Sequence, residues 1–425
     1  MGAAVGHLQH IIEAHHLTFD GLKEILTTLF NGNVEVFEKC DGINLVFTWD
    51  VETERLRVAR KASDIAHNGI GIEELSSRFA GRENVEKAFV EAFKALSIAV
   101  QTLTNEEKLA VFGPSAYRWF SAEVIHHLTP NTIHYDGNHI VFHNWPVFER
   151  TPMGVVKKSQ NTVGVGILTS AVHRMSNALR ETGFVARGPV NFNLMPVVGS
   201  SELTDALAVI ELMENTISVV PQFLPDVKDL RTFMCEQARS ELGLSSSMGA
   251  ERELMLKLVD HPDALHANVI KKMWRNKSQL PWVTDLMQRR EQLQDKWLRP
   301  IERSIYHVSV AVLKQTASAF VKDPLSEVRR LRECVRQTCE EIMRRRDPKE
   351  VQYVSEKLEL LEDISNVSSS MEGIVFFRGS EAFKITGAFA PAHQIIALLK
   401  YGRKGINTDE RKCVQGHEPD IIRRA

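Results

Sequence analysis

The stretch Phe37-Glu38-Lys39-Cys40-Asp41-Gly42-Ile43-Asn44 lies between two segments with the apolar pattern of β-strands, Val34–Phe37 and Ile43–Trp49. This pattern places Lys39 at the end of a strand, on a rigid sheet edge. Gly42 would permit a tight turn directly after it. A lysine held in this way is typical of a covalent lysine nucleophile, so the rest of the chain is read for acids and cations that could act with it.

Composition limits the class of protein. The chain has 425 residues, of which 43% are apolar and 25% charged, as in globular proteins of two or three domains. Its net charge is −2, so any nucleic-acid surface must be a local patch. Five cysteines without a CxxC pair favour a reducing cytoplasm. Neither a membrane span nor a secretion signal is apparent, and no protein partner is required by any pattern.

Strand patterns recur on both sides of a long helical region. The N-terminal segment, residues 1–33, is predicted to be helical up to about Phe30. A three-stranded antiparallel sheet is then predicted over Val34–Phe37, Ile43–Trp49 and Arg55–Arg60, followed by a helix at Glu83–Leu103. A strand that carries Glu123 is predicted at Tyr117–Ile125, and a hairpin over Thr132–Asp136 and His139–His143. Residues 151–365 read as a mainly helical insertion.

The back half of the insertion is basic. Residues 267–350 contain 19 Lys and Arg against 11 Asp and Glu. Seven arginines cluster on one predicted helix, namely Arg329, Arg330, Arg332, Arg336, Arg344, Arg345 and Arg346. They form either the solvated face of a packed helix or a nucleic-acid-binding surface, because clustered cations gain affinity for phosphates by releasing counterions.

A second hairpin follows the insertion, with strands at 371–377 and 381–386 around Arg378-Gly379-Ser380. Glu372 begins the first strand, and Lys384 stands between apolar residues in the second. A buried lysine requires an anion nearby, which is a side chain or a ligand phosphate.

The order of these residues resembles the covalent nucleotidyltransferase superfamily of ATP-dependent polynucleotide ligases and capping enzymes. Glu38-Lys39-Cys40-Asp41-Gly42-Ile43-Asn44 resembles motif I, in the form found in phage and editing-type RNA ligases. Lys61 and Ser63 resemble the next basic motif, Phe120–Val124 motif III and His139–Asn144 motif IIIa. Glu372-Gly373-Ile374-Val375 and Phe383-Lys384-Ile385 resemble motifs IV and V.

The opening His-Leu-x-His and the closing Phe-Lys-Ile-Thr-Gly-Ala-Phe-Ala-Pro-Ala-His-Gln-Ile-Ile are similar to a family of tailed-phage proteins with a helical insertion. The resemblance implies an α+β fold with an antiparallel-sheet nucleotidyltransferase core at 34–150 and 366–390. Residues 151–365 would then be the inserted nucleic-acid clamp, and 391–425 a C-terminal helix and tail. The site of action would be a bacterial host cytoplasm.

The resemblance also implies a mechanism. Lys39 would attack the α-phosphate of ATP and form lysyl-AMP, with Lys384 and Asp41 as its catalytic partners. The nucleotide would be held by Glu38, Gly42, Asn44, Lys61, Ser63, Glu123, Phe142 and Glu372, with Phe142 stacked on adenine. Glu372 and Glu123 would bind Mg²⁺ or Mn²⁺. The partners would be ATP and the ends of RNA or DNA strands.

Several residues depart from the family pattern. Asn44 replaces the arginine of DNA ligases, and Thr386 replaces a second lysine of motif V. Only 41 residues follow Lys384, too few for an OB-fold domain. His139 or His143 could stack in place of Phe142. RNA or RNA-containing substrates are therefore expected. The alternatives are a transferase that stops at AMP or GMP transfer and a non-catalytic phage nucleic-acid-binding protein.

Overall fold

The computed structural model describes residues 8–129, 132–154, 156–218, 229–243, 281–320, 324–369 and 371–401. These residues form a mixed α+β structure with mainly antiparallel sheets, which confirms the predicted α+β class. They divide into two compact units. One, which we call the sheet unit, comprises the described residues of 8, 35–192 and 316–401; the other, the helical unit, comprises the described residues of 9–34 and 193–315.

Twelve strands are found within the described ranges. In chain order they are β1 Gln9–His10, β2 Glu35–Lys39, β3 Ile43–Asp50, β4 Arg55–Ala59, β5 Arg118–Ile125, β6 Asn138–Phe142, β7 Val147–Arg150, β8 Val156–Ser159, β9 Phe184–Arg187, β10 Asn191–Asn193, β11 Gly373–Arg378 and β12 Glu381–Ile385.

Helices of the same ranges are α1 Phe19–Asn31, α2 Ala62–Ala66, α3 Ile72–Phe79, α4 Glu83–Gln101, α5 Asn105–Phe112, α6 Thr162–Ala178, α7 Glu202–Ser218, α8 Leu230–Glu241, α9 Pro281–Phe320, α10 Pro324–Arg345, α11 Pro348–Leu361 and α12 Phe389–Tyr401. None of them has both the length and the apolar character of a membrane-crossing helix.

The larger sheet of the sheet unit has the strand order β4-β3-β5-β6-β9, with β7 and β8 extending from β5. Its apolar face follows from alternation along the strands, because successive side chains of a strand point to opposite faces. Leu45, Phe47, Phe120 and Ile140 belong to one buried cluster with the apolar stripe of α4. That stripe, which includes Phe89 and Leu96, confirms the helix predicted at 83–103.

The smaller sheet unites strands that are far apart in the chain. β11 pairs antiparallel with β12 on one side and with β2 on the other. Gly373 is required at the start of β11, because a Cβ atom there would lie 2.1 Å from the carbonyl oxygen of Ile385. The predicted hairpin between β11 and β12 is confirmed.

The helical unit contains α1, α7 and α8, and most of α9. Thr18 caps α1, since its side chain accepts a hydrogen bond from the Gly21 amide at 3.0 Å. Leu22, Leu26 and Leu29 form part of its buried face, and α1 packs on α7. Within the described residues, the helix predicted up to about Phe30 begins at Phe19, and it is preceded by β1 and a 3-10 turn at Ile11–Glu13.

Two strand pairings were predicted wrongly. β2 does not pair with β3, because the neighbours of β2 include β11 and those of β3 are β4 and β5. Pairing between strands adjacent in the chain is a tendency only. Residues 132–136 are not a strand; the amides of Thr132 and Ile133 donate to Asp41. β6 pairs instead with β5 and, in parallel, with β9.

The helical unit is smaller than the insertion predicted at 151–365. Residues 156–187 stay with the sheet unit because β8 pairs with β7 and β9 with β6. α10 and α11 stay there too, since both pack on α12. The helices predicted at 251–258 and 266–274, and the tail after 401, lie outside the described residues.

Candidate functional site

The side chains of Lys39 and Glu372 form an ion pair in the smaller sheet. Lys39 is the last residue of β2 and lies opposite Gly373 of β11, so Glu372 is carried next to it by the strand pairing. The side chains are 16% and 7% exposed, respectively. An ion pair this far from water holds its two groups in place more firmly than a surface pair does.

Lys384 lies on the same face of this sheet as Lys39. It is opposite Val375, which is in turn opposite Phe37, and Phe37 precedes Lys39 by two residues. Residues in one row, and residues two apart in a strand, point to the same side. Lys384 is 3% exposed. Pairing of three strands thus brings together the predicted nucleophile and the predicted phosphate-binding lysine.

The role predicted for Asp41 is not the one that its contacts define. Its Oδ2 atom accepts hydrogen bonds from the amides of Thr132 and Ile133, at 2.5 and 2.8 Å. Its own amide donates to the hydroxyl of Tyr135 at 2.8 Å. Asp41 therefore anchors the 132–135 segment close to Lys39 in the chain, and its Oδ2 atom is occupied by these two amides.

Gly42 is required for close packing and not for a left-handed turn. A Cβ atom at this position would lie 2.7 Å from Glu123 Cγ and 2.8 Å from the carbonyl oxygen of Val124. Its φ is not in the positive region. The expectation of a turn that needs glycine flexibility was wrong, because the constraint is the nearby strand β5.

Asn44 and Glu123 are directly opposite each other in β3 and β5. Glu123 Oε2 lies 3.1 Å from His143 Nε2. The guanidinium group of Arg60 donates to the carbonyl oxygen of Asn44. Asn44 and Glu123 point to the face of the larger sheet opposite its apolar core, where the sequence predicted nucleotide contacts. Arg60 lies on the core side, with its guanidinium 5.1 Å from the ring centroid of Phe89.

Phe142 cannot stack on adenine in this structure. It is 1% exposed and lies in the core cluster, with its ring centroid 5.6 Å from that of Phe47. Phe142 is opposite Ala122, whereas Glu123 is opposite Val141, so Phe142 and Glu123 point to opposite faces. His143, already in contact with Glu123, is the ring on the polar side.

Lys61 and Ser63 are exposed at the start of α2. Asp64 Oδ2 accepts the amides of Arg60 and Lys61, at 2.8 and 3.0 Å, and also binds Arg78 at 2.8 Å. These bonds fix the turn between β4 and α2. They leave the side chains of Lys61 and Ser63 at the surface, while Arg60 points back to β3.

Arg187 is a charged residue near the site that was not predicted from the sequence. It lies opposite Val141 in β6, which is opposite Glu123, which is opposite Asn44, so these residues form one row across four strands. Its Nη2 atom is 3.9 Å from Glu38 Oε2. The available signal was an arginine at the end of the apolar run Phe184-Val185-Ala186, but the parallel pairing of β9 was needed to place it.

Burial shapes the acid–base properties around Lys39. Burial raises the pKa of Glu38 above its ordinary value of 4.5, and the positive charge of Arg187 opposes this change. Burial also raises the pKa of the Cys40 thiol well above 9.0, and the charges of Glu38 and Glu123 add to the effect. A thiol of this kind stays protonated and inert. Of Lys39 and its neighbour Cys40, the lysine is the more suitable nucleophile.

The seven arginines predicted to bind nucleic acid differ in their contacts. Arg336, Arg344 and Arg345 pair with acids one turn away on α10, namely Glu333, Glu340 and Glu341. Arg329 and Arg346 are exposed. Arg330 and Arg332 instead donate to main-chain carbonyl oxygens of Thr132, Ser365 and Val367. The prediction of a phosphate-binding role is therefore restricted to the five outward arginines.

Comparisons with known proteins add no relative: no family model, no curated protein and no solved structure matches the chain. Within the described ranges, no group of three or more His, Cys, Asp or Glu side chains is arranged to hold a metal ion. The geometry around Lys39 is thus the main guide to the function of the chain.

Proposed function

We propose that this chain is an ATP-dependent polynucleotide ligase that joins a 5′-phosphate to a 3′-hydroxyl through a lysyl-AMP intermediate, on RNA or RNA-containing strands. The observation that carries the proposal is the contact between Lys39 and Glu372, with Lys384 on the same face of the sheet. Two lysines and one acid, all largely shielded from water, are the charges that transfer of a nucleotidyl group to lysine requires.

In the first step the Lys39 amine attacks the α-phosphorus of ATP. A P–N bond forms, the bond between the α-phosphorus and the bridging oxygen breaks, and pyrophosphate leaves. The ammonium group must first release a proton, and positive charge beside it, from Lys384 or a bound cation, favours that release once Glu372 no longer pairs with it. Lys384 neutralises charge on the α-phosphate as it is transferred.

The larger sheet supplies a polar surface for the nucleoside. Glu123 and Asn44 lie side by side on it, and His143 contacts Glu123. A carboxylate is a suitable acceptor for two ribose hydroxyls, and an imidazole offers a flat face to a base. His143 therefore takes the stacking role first expected of Phe142.

Glu372 suits a divalent cation that is shared with the nucleotide phosphates, rather than one enclosed entirely by protein ligands. Mg²⁺ in phosphoryl-transfer enzymes is bound by one or two carboxylates together with phosphate oxygens and water. Glu372 offers one largely buried carboxylate, and Glu123 a second at the nucleoside surface. When bound, Mg²⁺ or Mn²⁺ would neutralise phosphate charge during transfer.

Two further steps complete the reaction. An oxygen of the strand's 5′-phosphate attacks the phosphorus of lysyl-AMP, the P–N bond breaks, and Lys39 recovers its amine. The 3′-hydroxyl then attacks the 5′-phosphorus, a phosphodiester bond forms, and AMP leaves with the proton balance restored by solvent. The exposed arginines of α10, including Arg344 at 76% side-chain exposure, offer contacts to the strand.

The direct test is incubation with ATP labelled on its α-phosphate and Mg²⁺, followed by denaturing electrophoresis. We expect label on the wild type and on the control Lys349→Ala, whose side chain is exposed on α11. Lys39→Ala should take none. The bond should be labile to acid and stable to alkali, as a phosphoramidate is. Absence of label, or label that survives Lys39→Ala, would overturn the proposal.

Substrate choice needs a second experiment. A panel of nicked RNA, DNA and hybrid duplexes with free single strands should show joining of RNA-containing ends. Reversing the charges of Arg344–Arg346 should weaken joining and leave labelling of Lys39 unchanged. Label from GTP instead of ATP would overturn the choice of nucleotide. If Lys39 takes label but no strand is ever joined, the protein is a transferase that stops after the first step.

A further inference from the structure

Two arginines of α10 contact the main chain of segments that flank the site. Arg330 donates from Nη2 to the carbonyl oxygen of Thr132. Its partner Glu327, bound to Arg330 Nε at 2.8 Å, accepts the amide of His134 at 3.2 Å. One ion pair on α10 therefore binds the 132–134 segment by both a donor and an acceptor.

The opposite side of this segment is bound to Asp41. The amides of Thr132 and Ile133 donate to its carboxylate, and Tyr135 accepts the Asp41 amide. The Thr132 hydroxyl is also 2.5 Å from His393 Nδ1 on α12. Asp41 is two residues from Lys39, so a continuous set of hydrogen bonds joins Arg330 to the turn that carries the nucleophile.

Arg332 makes the corresponding contacts with the segment that precedes Glu372. Its Nε and Nη2 atoms donate to the carbonyl oxygens of Val367 and Ser365, at 2.8 and 2.6 Å. These residues precede Glu372 by five and seven positions. Guanidinium groups suit this arrangement because they present several donors in a rigid plane, which a lysine cannot do.

We propose that α10 is a brace that positions the two partners of the Lys39–Glu372 pair, with Arg330 as a positioning residue for Lys39 and Arg332 as one for Glu372. The kinetic consequences of this inference rest on the proposed function. The hydrogen bonds that hold the two segments do not depend on it. Orientation matters because a displacement of about 1 Å in a reacting group can reduce a rate by about 100-fold.

The two variants are expected to fail differently. Arg330→Gln should lower the single-turnover rate of Lys39 labelling by about tenfold or more, with little change in the KM for ATP. Arg332→Gln should raise the Mg²⁺ concentration for half-maximal labelling by about tenfold, because the segment that leads to Glu372 loses the donors that hold the carbonyl oxygens of Ser365 and Val367. Arg332→Lys should not restore it. Gln337→Ala and Glu340→Gln, at exposed positions of the same helix, are the matched controls and should change neither quantity.

These assays contain no nucleic acid, so they separate a brace from a strand-binding surface. If Arg330→Gln and Arg332→Gln label at the wild-type rate and Mg²⁺ dependence but join strands poorly, both residues bind the strand and the brace is wrong. Equal losses in all four variants would also overturn it. Thermal unfolding of each variant identifies losses caused by misfolding.

Amide hydrogen exchange tests the geometry without activity. Arg330→Gln should accelerate exchange at Thr132 and Ile133, whose amides are bound to Asp41, by about tenfold while α4 stays protected. Unchanged exchange there would refute the brace whatever the kinetics. If the wild type takes no label from ATP, the proposed function fails, and exchange alone decides on the brace.

Discussion

The carboxylate of Glu372 contacts the ammonium group of Lys39, although 333 positions separate the two residues in the chain. The contact follows from the pairing of β2 with β11, which places Gly373 opposite Lys39. A carboxylate next to an ammonium group stabilises its charged form. In the proposed reaction, nucleotide or metal would have to exchange partners with this pair before the lysine could act, and the pair would then be the resting state of the site.

Replacing the acid tests this view. Glu372→Gln removes the charge that contacts Lys39 and the carboxylate that would bind the cation. We expect labelling from ATP to fall by about 100-fold and higher Mg²⁺ to restore little of it. A titration of labelling rate against Mg²⁺ measures this, with Glu73→Gln, an exposed acid in the first turn of α3, as the control. Near-normal labelling would exclude Glu372 from the reaction.

Gly42→Ala tests the close packing behind the nucleophile. The new Cβ would lie within 2.8 Å of Glu123 Cγ and of the Val124 carbonyl oxygen, so Glu123 or the turn must move. We expect a stability loss of about 1–3 kcal/mol and a raised KM for ATP, measured by urea unfolding and by labelling.

The matched control is Gly166→Ala, because no atom lies within 4 Å of its added Cβ in α6. This change should stabilise the helix by up to about 1 kcal/mol. A Gly42→Ala protein as stable as the wild type, with unchanged KM, would show that the turn adapts freely.

Local signals in the sequence were enough for part of this structure. The alternation and the Arg378-Gly379-Ser380 turn predicted the β11–β12 hairpin, and the spacing of Phe89 and Leu96 predicted α4. Both features depend on residues close in the chain, where strand and helix periods can be read directly. Lys39, Glu372 and Lys384 were predicted as a group, because charged residues at strand ends or between apolar neighbours are conspicuous, and strand pairing places them on one sheet.

Other parts depended on pairing between distant segments. Phe142 was assigned to the wrong face because neighbouring strand residues point to opposite sides, and the register alone decides which faces the core. Arg187 became visible only when β9 paired with β6. Arg330 and Arg332 looked like their outward neighbours, since composition does not distinguish an arginine bound to a carbonyl oxygen from one in water.

Arg187 and Glu38 predict a pH dependence of stability. Burial raises the pKa of Glu38 above 4.5 in the folded state, so folded protein binds more protons than unfolded protein between the two values. Stability therefore falls as pH rises through that window. Arg187→Gln removes the charge that opposes the shift, and should extend the fall to higher pH. Urea unfolding from pH 4.5 to 8 measures it.

Glu38→Gln is the second variant for the same urea-unfolding measurement. It removes the titrating group, so the contribution of Glu38 to the slope should vanish, and adding Arg187→Gln should have no further effect on the slope. If Arg187→Gln leaves the pH profile of the wild type unchanged, the 3.9 Å contact between the two side chains has no energetic consequence.

His126 should produce the opposite slope in the acidic range. It is 0% exposed, its Nε2 atom is 2.9 Å from Glu91 Oε2, and its Nδ1 atom accepts the amide of Leu128. Burial lowers the pKa of His126 below its ordinary 6.5, and the bond to Glu91 opposes this. The unfolded chain then binds the extra proton first, so stability falls as pH drops below about 6.5.

Urea unfolding between pH 5 and 7.5 measures this dependence. The slope of the unfolding free energy against pH should be shallower for His126→Gln than for the wild type. Glu91→Gln should lower the pKa of His126 further and extend the fall to more acidic pH. Equal slopes in all three proteins would mean that His126 gains its proton as readily in the folded state as in the unfolded chain.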